Sequence, residues 1–140
     1  MALHNTDGKG NLHSFDIGNP GMSTLTPWSE THYDEVRSVT LARADTLIQN
    51  GTLPAPNVIK IDVEGSEALV LAGFGDYLAN PALEAIVIEA RADLHQNPTT
   101  DAVGTLLTDA GFLLRPLTRN EQSAHSLMNF LAERPKSNLD

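Results

Sequence analysis

The stretch Ile59-Lys60-Ile61-Asp62-Val63-Glu64-Gly65-Ser66-Glu67 constrains the fold of this chain more than any other. It runs in order through a β-branched apolar segment carrying one lysine, a carboxylate, a second carboxylate, a glycine turn and a helix start. Such an order reads as a strand feeding a helix through a tight turn. In an open α/β sheet, ligands bind at the carboxyl ends of the strands. Two acidic groups therefore fall where chemistry is expected.

The flanking sequence extends this pattern. Val58 to Val63 is nearly all apolar, as expected for a strand covered on both faces. Ser66 to Leu78 reads as a helix, with Leu71, Phe74 and Leu78 on one face and Gly73 and Gly75 weakening its end. Ala85 to Glu89 is a second buried-type strand that also ends in a carboxylate. Thr100 is placed to cap a third helix with an apolar stripe of Val103, Leu106, Leu107 and Ala110, stopped by Gly111. Phe112 to Leu117 and Leu127 to Ala132 read as two more strands. Alternating strands and helices imply a parallel βαβ-type sheet. The link between the last two strands is short for a parallel crossover, so the final strand is expected to be antiparallel.

The N-terminal part is rich in turns. Asp7-Gly8-Lys9-Gly10 reads as a hairpin-type turn, followed by a strand over Leu12 to Ile17 and a break at Gly18-Asn19-Pro20-Gly21. Met22 to Tyr33 has no clear period and reads as a surface loop of the kind that carries specificity. Val36 to Arg43 has strand composition, and Asp45 can cap a short helix from Thr46 to Asn50, ended by Gly51. Residues 1–134 are expected to form one partial domain, with 135–140 a polar tail.

Composition narrows the partners. Eighteen acidic residues against nine basic ones give a formal charge of -9, and the basic residues form no cluster. A nucleic-acid backbone would be repelled, so nucleic-acid binding is not expected. There is no cysteine, which removes disulfides and thiolate metal sites. No apolar run approaches a membrane span, and Met1 to Gly10 is too polar for a secretory signal. A cytoplasmic location is the default expectation.

Lys60-Ile61-Asp62-Val63-Glu64-Gly65-Ser66-Glu67, followed by Val70-Leu71-Ala72-Gly73, resembles the signature of FkbM-family methyltransferases. Ala2-Leu3 with Asp7-Gly8, the loop Gly21-Met22-Ser23-Thr24-Leu25, and Val39-Thr40 through Asp45-Thr46-Leu47 are similar to other family segments. Ile86-Val87-Ile88-Glu89 and Met128-Asn129-Phe130-Leu131 resemble its later strands. The resemblance implies a Rossmann-like class I methyltransferase sheet, with an N-terminal β-hairpin or loop insertion. It also implies S-adenosylmethionine as cofactor and O-methylation of a hydroxyl on a sugar or natural product. One departure stands out: the family's strand with a glycine-rich cofactor loop is not found, so this chain reads as the C-terminal part of such a domain and is expected to be inactive in isolation. The strand Val58–Val63 would then lack a neighbour. Leu12–Ile17 or Val36–Arg43 could fold back over it; otherwise a homo-oligomer, or a chain supplying the missing half, is expected. The alternative is a non-catalytic α/β module that binds a partner chain or a small hydroxylated ligand.

Candidate residues follow from both readings. Asp62 at a strand end could face the cofactor, orient a hydroxyl or act as general base, and burial would raise its pKa. The plainer alternative is that Asp62 and Glu64 favour the positive end of the next helix. Glu64, Glu89 and His95 complete the catalytic candidates; Glu89 shares the strand-end level, and His95 follows it in a loop. Lys60 could pair with Asp62 or Glu89, and Glu67 in a first helical turn is explained by the helix dipole alone. By resemblance, Lys60, Glu67 and Ser23 are substrate-side candidates, and Asn5 could touch the adenine side of the cofactor. His4, His13, His32, His95 and His125 lack metal-ligand spacing. Asp62, Glu64 and Glu89 could hold Mg2+, although nothing in their spacing demands it.

Overall fold

The computed structural model describes residues 1–15, 22–91, 102–117 and 127–135. The fold is mixed α/β and divides into two compact units, Met1–Pro54 with Val63–Gly75, and Ala55–Asp62 with Asp76–Asp140. Each unit holds one sheet.

The first unit contains β1 (Ala2–Leu3), β2 (Gly8–Ser14) and β3 (Glu35–Ala42), ordered β1-β3-β2. β1 runs parallel to β3, with Ala2 opposite Leu41, and β2 runs antiparallel to it from Gly8↔Leu41 to Ser14↔Glu35. The expected turn at Asp7–Gly10 is therefore mostly strand, and β2 begins at Gly8 rather than Leu12. The ladder to β3 satisfies backbone groups that side-chain propensity would not have drawn into a sheet. At Gly10 a Cβ would lie 3.0 Å from the Leu41 side chain, which would have to shift by a few tenths of an ångström to admit it. The rest of the expected strand, from Asp16, lies outside the described residues. β2 and β3 pair with each other, in a sheet separate from that of Val58.

After β3, helix α1 (Ala44–Gln49) is tied in by charge. Arg43 Nε donates to Asp45 Oδ1 at 2.9 Å, Arg43 Nη2 pairs with Asp45 Oδ2, and Arg43 Nη1 donates to the Asn5 carbonyl at 2.8 Å. Asp45 lies inside the first turn rather than before it, and its carboxylate accepts from Thr46 N at 2.7 Å. The guanidinium hydrogen bonds hold the Asp45 carboxyl below its ordinary range.

Helix α2 spans Glu67–Ala72, shorter than the expected Ser66–Leu78, and a 3-10 turn over Gly75–Ala79 follows. The break falls at two glycines. A Cβ at Gly73 would collide with the His4 carbonyl, and Gly75 adopts a left-handed φ of +50°. Gly73 keeps right-handed helical dihedrals and lets the chain pass close to His4, and the left-handed Gly75 then turns the backbone out of the helix.

In the second unit β4 (Val58–Ile61), β5 (Ala85–Arg91), β6 (Leu113–Pro116) and β7 (Leu127–Glu133) are ordered β4-β5-β7-β6. β4 and β5 are parallel, and β7 is antiparallel to both β5 and β6, as the short link implied. The sheet is thus mixed, with its parallel part limited to β4 and β5. Cross-strand pairs Ile86↔Ala132, Ile88↔Phe130 and Ala90↔Met128 are all buried, so one face of β5 and β7 forms the centre of this core. Helix α3 (Ala102–Asp109) buries Val103 and Leu107, and Gly111 ends it at φ +87°. Its expected cap, Thr100, lies outside the described residues. Arg134 fastens the core: its guanidinium donates to the carbonyls of Leu83, Ala110 and Leu78 at 2.8–2.9 Å and lies 4.3 Å over the Phe112 ring.

The expectation that Val58–Val63 is covered on both faces is corrected. β4 stops at Ile61, and among the described residues β5 is its one hydrogen-bonded neighbour. Val58 is 62% exposed and Lys60 is exposed, while Ile61 is buried. Apolar composition reported strand propensity here, not burial.

Candidate functional site

Parallel pairing brings two acids to one level of the second unit. Ile61 is opposite Ile88, so Asp62 and Glu89 each follow a paired residue at the carboxyl side of the β4–β5 ladder. Glu89 lies within β5, which continues to Arg91, and is opposite Asn129. Asp62 is not buried: its side chain is 45% exposed, and its Oδ2 accepts from Lys60 Nζ at 2.9 Å. Of the two partners open to Lys60, the structure shows Asp62. Asp62 Oδ1 has no hydrogen bond among the described residues and is available to a ligand.

The first unit carries the turn that follows. Glu64 adopts φ +51° and Gly65 φ +95°. A left-handed glutamate costs about 1–3 kcal/mol and persists only when its surroundings enforce it. Three contacts do so. Thr24, fully buried, donates its hydroxyl to the Glu64 carbonyl at 2.8 Å. Glu67, also buried, accepts from both Val63 N and Gly65 N at 3.2 Å through one carboxylate oxygen. Thr26 and Ser66 share a hydroxyl hydrogen bond at 3.0 Å. Glu67 is thus more than a dipole acid: it closes the turn that presents Glu64. The Glu64 carboxylate itself has no partner among the described residues.

Asn5 and Ser23 also belong to the first unit. Asn5 Oδ1 is a buried oxygen without a hydrogen-bond partner among the described residues. A buried acceptor left unmatched costs free energy, and an exocyclic amine such as that of adenine would satisfy it. Ser23 is half-buried beside Thr24, whose backbone exchanges hydrogen bonds with His13 at 2.8 and 2.9 Å. His95 lies outside the described residues. Thr24, Thr26, Trp28 and Ser66 were not singled out in the sequence, because hydroxyls and an aromatic in an aperiodic loop carry no spacing signal.

Among the described residues, no three acidic or histidine side chains are grouped closely enough to hold a metal ion, so Asp62, Glu64 and Glu89 do not form the Mg2+ set considered above. Nor, among the described residues, is any helix long and apolar enough to cross a membrane. A cavity of about 750 Å3 opens beside Glu84, Ala85, Leu113 and Glu133. It lies at the amino end of β5, away from Asp62 and Glu89.

The family model for the methyltransferase FkbM domain matches residues 1–114. The chain belongs to the FkbM methyltransferase family. Hexuronic acid methyltransferase AglP of Haloferax volcanii is 41% identical over 49 residues, which is 35% of this chain and 20% of that protein. The chain therefore matches about a fifth of the length of that curated relative. No solved structure matches significantly. For an FkbM methyltransferase the implied methyl donor is S-adenosylmethionine, and the orphaned acceptor of Asn5 fits its adenine amine.

Proposed function

We propose that this chain serves an S-adenosylmethionine-dependent O-methyltransferase that acts on a hydroxyl of a sugar or related natural product. The observation that supports the reading is the parallel β4–β5 ladder, whose last pair, Ile61 and Ile88, is followed by Asp62 on one strand and Glu89 on the other, in a chain of the FkbM family. The name of the relative, a hexuronic acid methyltransferase, supports a sugar-type acceptor.

When bound, S-adenosylmethionine supplies an electrophilic methyl group on a sulfonium centre. Asp62 accepts the proton of the attacking hydroxyl through its free Oδ1, while Lys60 holds Oδ2 and fixes the carboxylate. Glu89 is assigned a supporting acid–base role at the same ladder level; His95, a candidate from the sequence, lies outside the described residues. Within the first unit, Asn5 would accept from the adenine amine, Glu64 and Ser23 would orient the acceptor hydroxyl, and Glu67 is a positioning residue through the turn it closes.

The test is calorimetric titration of S-adenosylhomocysteine into the full chain and into Asn5→Ala. Weak binding is expected, with a Kd near about 1 mM or tighter, and a loss of about tenfold in the variant. A wild-type chain that binds neither S-adenosylhomocysteine nor S-adenosylmethionine at millimolar concentration would favour the second reading, a non-catalytic module.

A further inference from the structure

Trp28 is the single tryptophan of the chain and is 38% exposed. Large apolar rings are informative when they are left outside. Its loop is nonetheless braced. Trp28 N donates to the Tyr33 hydroxyl at 2.9 Å, and the Tyr33 ring packs edge-on to His13 at 5.2 Å and beside Phe15 at 5.1 Å. The indole N–H has no hydrogen-bond acceptor among the described residues. A Cβ built on Gly65 would lie 3.8 Å from that indole nitrogen, so the ring stands directly against the strained turn. The same turn carries the half-buried Glu64, whose carboxylate has no hydrogen-bond partner among the described residues, on a left-handed backbone held by Thr24 and Glu67.

A fixed aromatic face, an idle N–H donor and an idle carboxylate acceptor suit a ligand with an apolar ring face and a rim of hydroxyls. Strain held in place from two sides is a mark of a site rather than of a passive turn. The charge selects further. The chain carries a formal charge of -9, and no cation bonds Glu64 among the described residues. A second carboxylate brought against it would be repelled.

We propose that Trp28 and Glu64 form an acceptor subsite for an uncharged pyranose ring, with Trp28 stacking on the ring and Glu64 accepting from its hydroxyls, and that this subsite disfavours a uronate. The proposal rests on the sugar O-methyltransferase reading above and goes further by naming the acceptor class. It also parts from the hexuronic acid named for the relative.

Trp28 is its own reporter. The experiment titrates the full chain with methyl β-glucopyranoside and, separately, methyl β-glucuronide, without any methyl donor, and follows tryptophan emission and the indole N–H resonance. A saturable change with a millimolar Kd for the neutral glycoside is expected, with the glucuronide weaker by about fivefold or more. Glu64→Gln keeps the reporter; it should weaken the neutral glycoside several-fold and narrow the gap to the glucuronide. Trp28→Ala, followed by ligand-observed NMR and checked by circular dichroism, should lose binding while remaining folded. Absence of a saturable change up to about 100 mM, or glucuronide binding as tight as the neutral sugar, would overturn the proposal. Because no methyl donor is present, failure here is separate from failure of cofactor binding. Sugar binding without cofactor binding would retain the subsite and withdraw the methyl-transfer reading.

Discussion

β4 and β5 look alike as sequences and differ as structures. Val58-Ile59-Lys60-Ile61 and Ala85-Ile86-Val87-Ile88 are both short, β-branched and followed by an acid, and they lie side by side in register. Yet Ile86 and Ile88 are fully buried, while Val58 is 62% exposed. The difference comes from position in the sheet. β5 has β4 on one side and β7 on the other; β4 ends the order. An apolar residue contributes stability according to the water it sheds, and an edge strand sheds less.

The largest expected effect contrasts the two strand ends. In a methyl-transfer assay of a complete enzyme that contains this domain, Asp62→Asn should lower kcat by about 100-fold or more, the range of a lost general base. Glu89→Gln, at the same level, should lower it less. Equal losses would mean that the free oxygen of Asp62 is not the proton acceptor, and an unchanged rate in Asp62→Asn would return that residue to a structural role.

Next in size is the packing contrast. Ile88→Ala should destabilise by about 2–5 kcal/mol in urea unfolding, as for a filled core site that becomes a cavity. Val58→Ala should stay within about 0.5 kcal/mol, as for an exposed position. A large loss at Val58 would show that something covers β4 in solution.

The smallest effect extends the comparison from apolar residues to charge pairs. Lys60 and Asp62 pair in the open, with side chains 65% and 45% exposed, whereas those of Arg43 and Asp45 are 31% and 17% exposed. The Asp45 carboxyl is held below its ordinary value of about 3.8 chiefly by its hydrogen bond from Arg43. A depressed folded-state value means stability that is present above pH 3.8 and is lost as pH falls through the lower folded value. Thermal unfolding from pH 5 downward should therefore show a falling Tm, with the fall reduced in Asp45→Asn. Identical profiles for the two proteins would remove Asp45 from the acid response.

These contrasts mark how much was readable in advance. Strand and helix order was legible because periodicity and turn residues are local signals. The antiparallel last strand was legible from the length of its connection. Glu67 was readable only as a first-turn acid, and its double acceptance from Val63 N and Gly65 N needed the turn to close first. β2 was misplaced because Gly8-Lys9-Gly10 has no strand propensity of its own and is recruited by the ladder to β3.

The sequence by itself determined that two short β-branched runs, Val58–Ile61 and Ala85–Ile88, are each followed by an acid, since composition and residue order are local. It also determined the family, through the run from Lys60 to Glu67. Tertiary structure alone decided which of those strands ends the described sheet and brought the Gly73 backbone against the His4 carbonyl. It alone brought Thr24 to the Glu64 carbonyl and Trp28 to Gly65. The physical reason is range. Propensity and periodicity act within a few residues, whereas the bond from Thr24 to Glu64 spans forty and forms only once separate segments have packed.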